Sequence, residues 1–196
     1  MFASILRRSI YLASIFVFMV VAPIGSAQAT ERQYVQMRDA MRKLAPLVGT
    51  WRSVWRFYDK DGTTALPGMY TISYVLDDAY LEWKAGHRRK SDPRRSYSWI
   101  LLTTFNADSN QYEQTYFFNT WPHHFTETGS FDSKRQEFLT QGIVPREDGV
   151  HNEHVRSILS LKNANEIVYT HYHRYSYEKR EHLQLVVTLT RLKPDH

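Results

Sequence analysis

Cysteine is absent from this chain of 196 residues. Its absence excludes disulfide bonds, thiolate metal ligands, a cysteine nucleophile and the modified cysteine of a bacterial lipoprotein. The sequence also lacks the G-x-S-x-G turn of serine hydrolases and any glycine-rich loop that would cradle a phosphate. These absences remove several enzyme classes, and nothing in the remaining residues names a reaction.

Long apolar runs are absent after the first 29 residues. Two arginines precede an apolar run from Ile10 to Val21, and the small-x-small sequence Ala27-Gln28-Ala29 follows it. This order is typical of a secretory signal peptide, so we predict that residues 1–29 are cleaved off and that the mature protein is periplasmic or secreted. The alternative is an uncleaved anchor, for which the run is short.

The mature chain, residues 30–196, has the length of a single domain. Its formal net charge is +3, because the +5 of the full sequence falls by two when Arg7 and Arg8 leave with the signal peptide. Such a mild excess gives no argument for a nucleic-acid partner, and no later stretch predicts a membrane span. With 42% hydrophobic and 14% aromatic residues, the chain can bury a core.

The hydrophobic pattern changes period once along the chain. Met37, Met41 and Leu44 recur at helical spacing, which predicts a helix over residues 31–47. Residues 49–192 instead form about ten short alternating segments separated by turn residues. This pattern predicts an all-β fold, an up-and-down antiparallel β-barrel preceded by one N-terminal helix that closes one end.

The first predicted strand carries the step Gly49-Thr50-Trp51. This step resembles the calycins, which include lipocalins and fatty-acid-binding proteins, and more narrowly the bacterial calycin-like families of unknown function of the DUF1579 type. In calycins this Trp plugs the closed end of the barrel, the open end admits a ligand, and a basic residue late in the last strand lies across the Trp ring. The resemblance therefore implies that Gly49, Trp51 and Arg191 close the barrel, with a cation–π contact within about 6 Å.

The richest cluster of chemical groups lies on a late strand, where Tyr169, His171 and His173 share one face. We predict that these three side chains, together with Trp99 and Tyr116, line the lumen and bind a small, mostly apolar or amphipathic ligand without catalysis. The alternative is that this face is external and solvated. A slip of one residue in register inverts the face, and the sequence does not fix the register.

Three other functions stay open at this point. Some small barrels with a similar Gly-x-Trp step hold haem through one lumenal His on a late strand, and His171 or His173 would be the analogue in a haem protein. The His-x-His pair could alternatively contribute to a metal site. No spacing in the chain matches a zinc motif. Alternatively, Glu82, Glu113 or Glu127 could serve a lumenal acid–base enzyme of the isomerase or lyase type. A structural role in the envelope is a further alternative. The cofactor, the identity of the ligand and the oligomeric state are not predicted.

Overall fold

The computed structural model describes residues 24–59, 62–89, 92–120, 123–145 and 152–193, and of residues 24–29 and 87–97 the backbone alone. Within these ranges lie an α-helix, α1 (Ile24–Arg42), a 3-10 turn (Ala45–Leu47) and ten strands. The strands are β1 (Gly49–Asp59), β2 (Gly62–Val75), β3 (Tyr80–Arg89), β4 (Asp92–Asn106), β5 (Gln111–Phe118), β6 (His124–Asp132), β7 (Glu137–Pro145), β8 (Asn152–Asn163), β9 (Glu166–Tyr175) and β10 (His182–Arg191).

The ten strands form one closed antiparallel barrel. Each strand pairs with its neighbour in the chain, and β1 pairs with β10 to complete the ring. The predicted all-β up-and-down barrel with one preceding helix is therefore confirmed.

Alternation along each strand decides which side chains form the core. In β1 the side chains of Trp51, Ser53 and Trp55 are buried, whereas those of Arg52 and Arg56 are exposed. Successive residues of a strand point to opposite faces, so one apolar row per strand fills the lumen. Burying one such large aromatic ring contributes roughly 1.5–3 kcal/mol.

The N-terminal helix differs from its predicted bounds of residues 31–47. It begins at Ile24 and ends at Arg42, before the 3-10 turn. Pro46 lies in that turn, and its ring would clash with the carbonyl of residue 42 if the α-helix continued. The helix begins before the predicted cleavage site after Ala29, and cleavage itself stays a prediction. Within the described ranges, no helix combines the length and apolarity that crossing a bilayer requires.

The last turns of the helical segment close one end of the barrel. Met41 and Leu44 are each only 1% exposed and pack into the same core as the barrel aromatics. Two lumenal phenols hold the helix backbone: the Tyr74 hydroxyl donates to the Met41 carbonyl at 2.6 Å, and the Tyr112 hydroxyl to the Ala40 carbonyl at 2.8 Å.

The contact predicted between the first and last strands, at the closed end of the barrel, is present. The Arg191 guanidinium carbon lies 4.0 Å from the centroid of the Trp51 ring. Its Nη1 and Nη2 donate to the carbonyls of Val48 and Pro46, each at 2.6 Å. Gly49 has φ +145°, and a Cβ there would lie 2.4 Å from Nη1 of Arg191. Glycine is thus required for both its backbone angle and its lack of a side chain.

Candidate functional site: the lumenal cavity

The lumen holds a cavity of about 370 Å³ among the strand ends opposite the helix. Four of the five predicted ligand-binding residues line it, namely Trp99, Tyr116, Tyr169 and His171. His173 shares the face of His171, but it bonds through Nδ1 to the carboxylate of Glu153, which does line the cavity. The odd-numbered face of β9 is therefore lumenal. That these residues bind a ligand stays a prediction.

One side of the cavity is lined by a stack of nearly parallel aromatic rings. Trp99, Tyr116, Phe118 and Phe125 have interplanar angles between 8° and 17°. The closest pair, Tyr116 and Phe125, has centroids 4.6 Å apart. The four rings come from β4, β5 and β6, whose inward positions align across the ladder. A planar apolar ligand could join such a stack or pack against its edges.

His171 brings a polar group into this apolar space. Its Nδ1 lies 2.9 Å from the Ser157 hydroxyl and 3.3 Å from the Tyr169 hydroxyl. Burial lowers the pKa of His171 to about 4, with a smaller lowering by His173 and an opposing effect of Glu153. The imidazole is therefore neutral at neutral pH. Within the described ranges nothing hydrogen-bonds to Nε2, which leaves that nitrogen for a ligand.

Of the three carboxylates predicted as lumenal acid–base candidates, only Glu127 points inward. Glu82 forms an ion pair with Lys84 at 2.7 Å, and Glu113 accepts a hydrogen bond from Asn106 at 2.7 Å. The prediction was wrong for these two because β3 turns its odd residues inward and β5 its even ones. Strand alternation fixes this only once the inward face of each strand is known.

Glu127 is fully buried and held by three hydroxyl groups. Its carboxylate accepts hydrogen bonds from Thr140 at 2.5 Å, from Ser157 at 3.1 Å and from Tyr116 at 3.3 Å. Burial raises the pKa of Glu127, and the three hydroxyl donors partly offset this. Thr140 and Ser157 are not among the site residues predicted from the sequence. A hydroxyl residue among the apolar residues on one face of a strand is the only sequence pattern that would have indicated them.

Two indole groups lie near this network without an acceptor. Within the described part of the chain, the Nε1 atoms of Trp83 and Trp99 are buried and make no hydrogen bond. Both residues line a second cavity of about 20 Å³, which Gln114 and Thr140 also border. That volume suits about one water molecule, whose oxygen would accept from an indole N–H. A buried donor left unsatisfied costs roughly 1–3 kcal/mol, so these groups favour an acceptor at this place.

The histidines and carboxylates of the described residues do not assemble a metal site. No group of three or more such side chains in those ranges is arranged to hold a metal ion. His173 contacts Tyr175 and His182 through their rings, with centroids 5.1 and 5.8 Å away, besides its bond to Glu153. Among the described residues, the histidine that lines the 370 Å³ cavity is His171.

Comparisons with known proteins agree with this architecture. The chain is similar to the crystal structure of Rv2717c from M. tuberculosis, with a TM-score of 0.59 and 11% identity over 80% of this chain and 99% of that chain. At that identity the likeness shows the fold alone. No curated protein matches the sequence. A family described as "Protein of unknown function (DUF1579)" matches residues 36–190, which include the end of α1 and nearly the whole barrel, and the chain belongs to this family.

Proposed function

We propose that the protein binds a small, planar and mostly apolar ligand in the lumenal cavity and does not catalyse a reaction. The observation that carries this proposal is the stack of aromatic rings that lines, together with His171, a space of about 370 Å³. This volume lies in the range of small-molecule sites, and such sites combine apolar walls with a few polar groups.

The protonation states favour binding over acid–base catalysis. Glu127 lies behind the cavity wall, fully buried and bonded to three hydroxyls, so it reaches no substrate directly. His171 has a pKa of about 4, far below the value that suits a base at neutral pH. A neutral imidazole is, however, well suited to hydrogen bonding in an apolar site, because no charge has to be desolvated.

The second candidate is a haem protein, and the free Nε2 of His171 is the observation that favours it. One axial imidazole can hold a haem iron, and a hydrogen bond at its Nδ1 orients such a ligand. Ser157 supplies that bond at 2.9 Å. An absorption spectrum of the purified protein separates the two candidates, because an intense band in the Soret region supports haem alone.

The proposed site can be tested with the fluorescent dye anilinonaphthalene sulfonate. Leu185→Trp fills the cavity from β10 and should weaken dye binding at least about tenfold. Leu139→Trp is the matched control, because Leu139 is exposed on β7. Equal dye binding by both variants would refute the lumen as the site. Native mass spectrometry of the purified protein would also reveal a co-purified ligand.

We further propose that this binding takes place outside the cytoplasm. The support is the signal-peptide pattern of residues 1–29. N-terminal sequencing of protein taken from the periplasm or medium of an expressing bacterium should begin at Thr30. Protein that begins at Met1 and stays in the cytoplasm would contradict export.

A further inference from the structure

We propose that the Glu127 carboxylate, acting through the Ser157 hydroxyl, holds His171 as the neutral tautomer with its proton on Nδ1. The cavity then presents Nε2 as a hydrogen-bond acceptor and selects planar ligands that carry a donor, such as a phenolic hydroxyl. This inference rests on the proposed function and adds to it the chemical class of the ligand.

The Ser157 hydroxyl has three polar neighbours. Its oxygen lies 3.1 Å from Oε1 of Glu127, 3.0 Å from the Tyr169 hydroxyl and 2.9 Å from Nδ1 of His171. A serine hydroxyl has one hydrogen and two lone pairs, so it can donate once and accept twice. The three neighbours therefore use its full capacity, and the direction of each bond depends on the other two.

The Glu127 carboxylate determines which partner donates in the hydrogen bonds of Ser157. Ser157 gives its hydrogen to Oε1 of Glu127, and an ionised carboxylate can only accept. The other oxygen of Glu127 accepts from Thr140 at 2.5 Å and Tyr116 at 3.3 Å, and these bonds favour the charged form against burial, which raises the pKa.

Both lone pairs of Ser157 are then open to donors. The Tyr169 hydroxyl lies near both Ser157 and Nδ1 of His171. An unprotonated Nδ1 would, however, bring its lone pair to 2.9 Å from a lone pair of Ser157, so the geometry favours a proton on Nδ1.

The proton on Nδ1 decides what Nε2 of His171 can do. A neutral imidazole carries one proton, so with that proton on Nδ1 the Nε2 atom of His171 has a free lone pair. Burial lowers the pKa of this residue to about 4, which keeps the ring in its neutral form. No described residue donates to Nε2, so a donor on the ligand is the natural partner. A ligand with an acceptor at that place leaves Nε2 unpaired and binds more weakly.

Glu127 is accordingly a positioning residue, because it acts on the ligand only through Ser157 and His171. It is fully buried and does not line the 370 Å³ cavity. A merely structural carboxylate would not influence which nitrogen of His171 carries the proton. The tautomer is therefore the readout that separates the two roles.

Glu127→Gln should reverse the direction of the hydrogen bonds that run from residue 127 through Ser157 to His171, because Gln has nearly the same shape as Glu but carries an N–H donor. The amide oxygen can still accept from Thr140 and Tyr116, while the amide nitrogen donates to Ser157. Ser157 then gives its own hydrogen to Nδ1 of His171, whose proton moves to Nε2. Nitrogen-15 NMR of the imidazole in the unliganded protein should report Nδ1–H in the wild type and Nε2–H in the variant. Glu113→Gln, on the outer face of β5, should leave the tautomer unchanged.

The ligand preference is tested with a naphthol and its methyl ether. The naphthol has a hydroxyl that can donate a hydrogen bond to Nε2 of His171, and the ether lacks it. We expect the wild type to bind the naphthol about tenfold more tightly, the size of one net hydrogen bond. Glu127→Gln should reduce this ratio to about one or reverse it, while Glu113→Gln keeps it. If Glu127→Gln does not fold, Ser157→Ala removes the bridge instead and should leave His171 in a mixture of tautomers.

The tautomer of His171, the selection of a ligand with a donor and the binding of a ligand can each be contradicted by a different result. The control of the His171 tautomer by Glu127 is overturned if the wild-type ring carries its proton on Nε2. It is also overturned if neither Glu127→Gln nor Ser157→Ala alters the tautomer. Both outcomes count whether or not the naphthol or its ether binds. An Nδ1–H tautomer with equal binding of naphthol and ether overturns the ligand selection. If neither naphthalene nor the fluorescent dye binds at all, the proposed function fails and the selection fails with it.

Discussion

His171 and Arg191 are two basic side chains that the same barrel accommodates in opposite ways. The Arg191 guanidinium lies at the closed end, against the Trp51 ring and within hydrogen-bond distance of backbone carbonyls. His171 lies in an apolar cavity with hydroxyl partners, and burial lowers its pKa to about 4. The difference in surroundings produces a fixed cation at one end and a neutral hydrogen-bonding group near the other.

The lowered pKa of His171 predicts a pH dependence of stability. The unfolded pKa is near 6.5 and the folded pKa about 4, so between these values the unfolded chain binds a proton that the native state does not. Stability should therefore fall as pH drops from about 6.5 to about 4, with a slope of up to about 1.4 kcal/mol per pH unit. Urea unfolding of the wild type and His171→Gln across this window measures the difference.

The raised pKa of Glu127 contributes a slope of opposite sign, and it does so in both proteins. Comparison of the two unfolding series therefore reports on His171. Wild-type and His171→Gln stabilities that run parallel through the window would show that the native ring titrates normally.

Gly49 is a position where one added methyl group should be costly. Its φ of +145° is unfavourable for residues with a side chain, and a Cβ would lie 2.4 Å from Arg191. We expect Gly49→Ala to destabilise the protein by about 1–3 kcal/mol, measured by urea unfolding. Gly62→Ala is the matched control, since Gly62 has φ +131° but no atom within 4 Å of the added Cβ. Equal losses in the two variants would assign the whole effect to backbone strain.

At the scale of elements, backbone pairing decides where a strand begins. β2 begins at Gly62, because the long β1 offers backbone partners down to Asp59. Pairing with a neighbour thus extended a strand through Pro67 and Gly68, where local propensity predicts none.

The closure of the barrel end by the helix can be tested through its phenol anchors. Tyr112→Phe removes one of two donors to the Ala40 carbonyl, which also accepts from the Lys43 N–H at 3.1 Å, and should cost about 0.5–1.5 kcal/mol. Hydrogen exchange of the last turn of α1 should accelerate more than exchange in β8. Tyr58→Phe, at a 36% exposed position of β1, should change neither quantity. Uniform acceleration over the whole barrel in Tyr112→Phe would mean that the helix has no separate opening motion.

At the scale of the whole molecule, closure joins residues that are far apart in sequence. Trp51 faces Arg191 in the β1–β10 ladder, and the Trp51 indole N–H donates to the Leu47 carbonyl at 3.0 Å. The first strand, the last strand and the turn after the helix therefore share one set of contacts. Loss of any member is expected to weaken the others.

A double-mutant cycle measures this coupling. Trp51→Ala should cost about 3–5 kcal/mol, as truncations of large buried aromatics do. Arg191→Ala should cost less, and the double variant should lose less than the sum of the two single losses. Free energies of urea unfolding for the four proteins give the coupling term. Strictly additive losses would show that the ring and the guanidinium act independently.

The sequence by itself determined the period of each segment, and hence a helix followed by about ten strands in a barrel. It also determined that Tyr169 and His171 share a face, and the resemblance carried by Gly49-Thr50-Trp51 led to the contact with Arg191. These predictions succeed because alternation and turn chemistry are local properties of the chain.

Only the tertiary structure decided which faces point inward and which side chains meet across the lumen. Glu127, Ser157 and His171 lie on β6, β8 and β9, and their contacts depend on the register of every strand pair between them. A slip of one residue in any of these ladders would turn a member of the network to the outer face. Register is set by the packing of the closed barrel as a whole, and no local stretch of sequence contains that information.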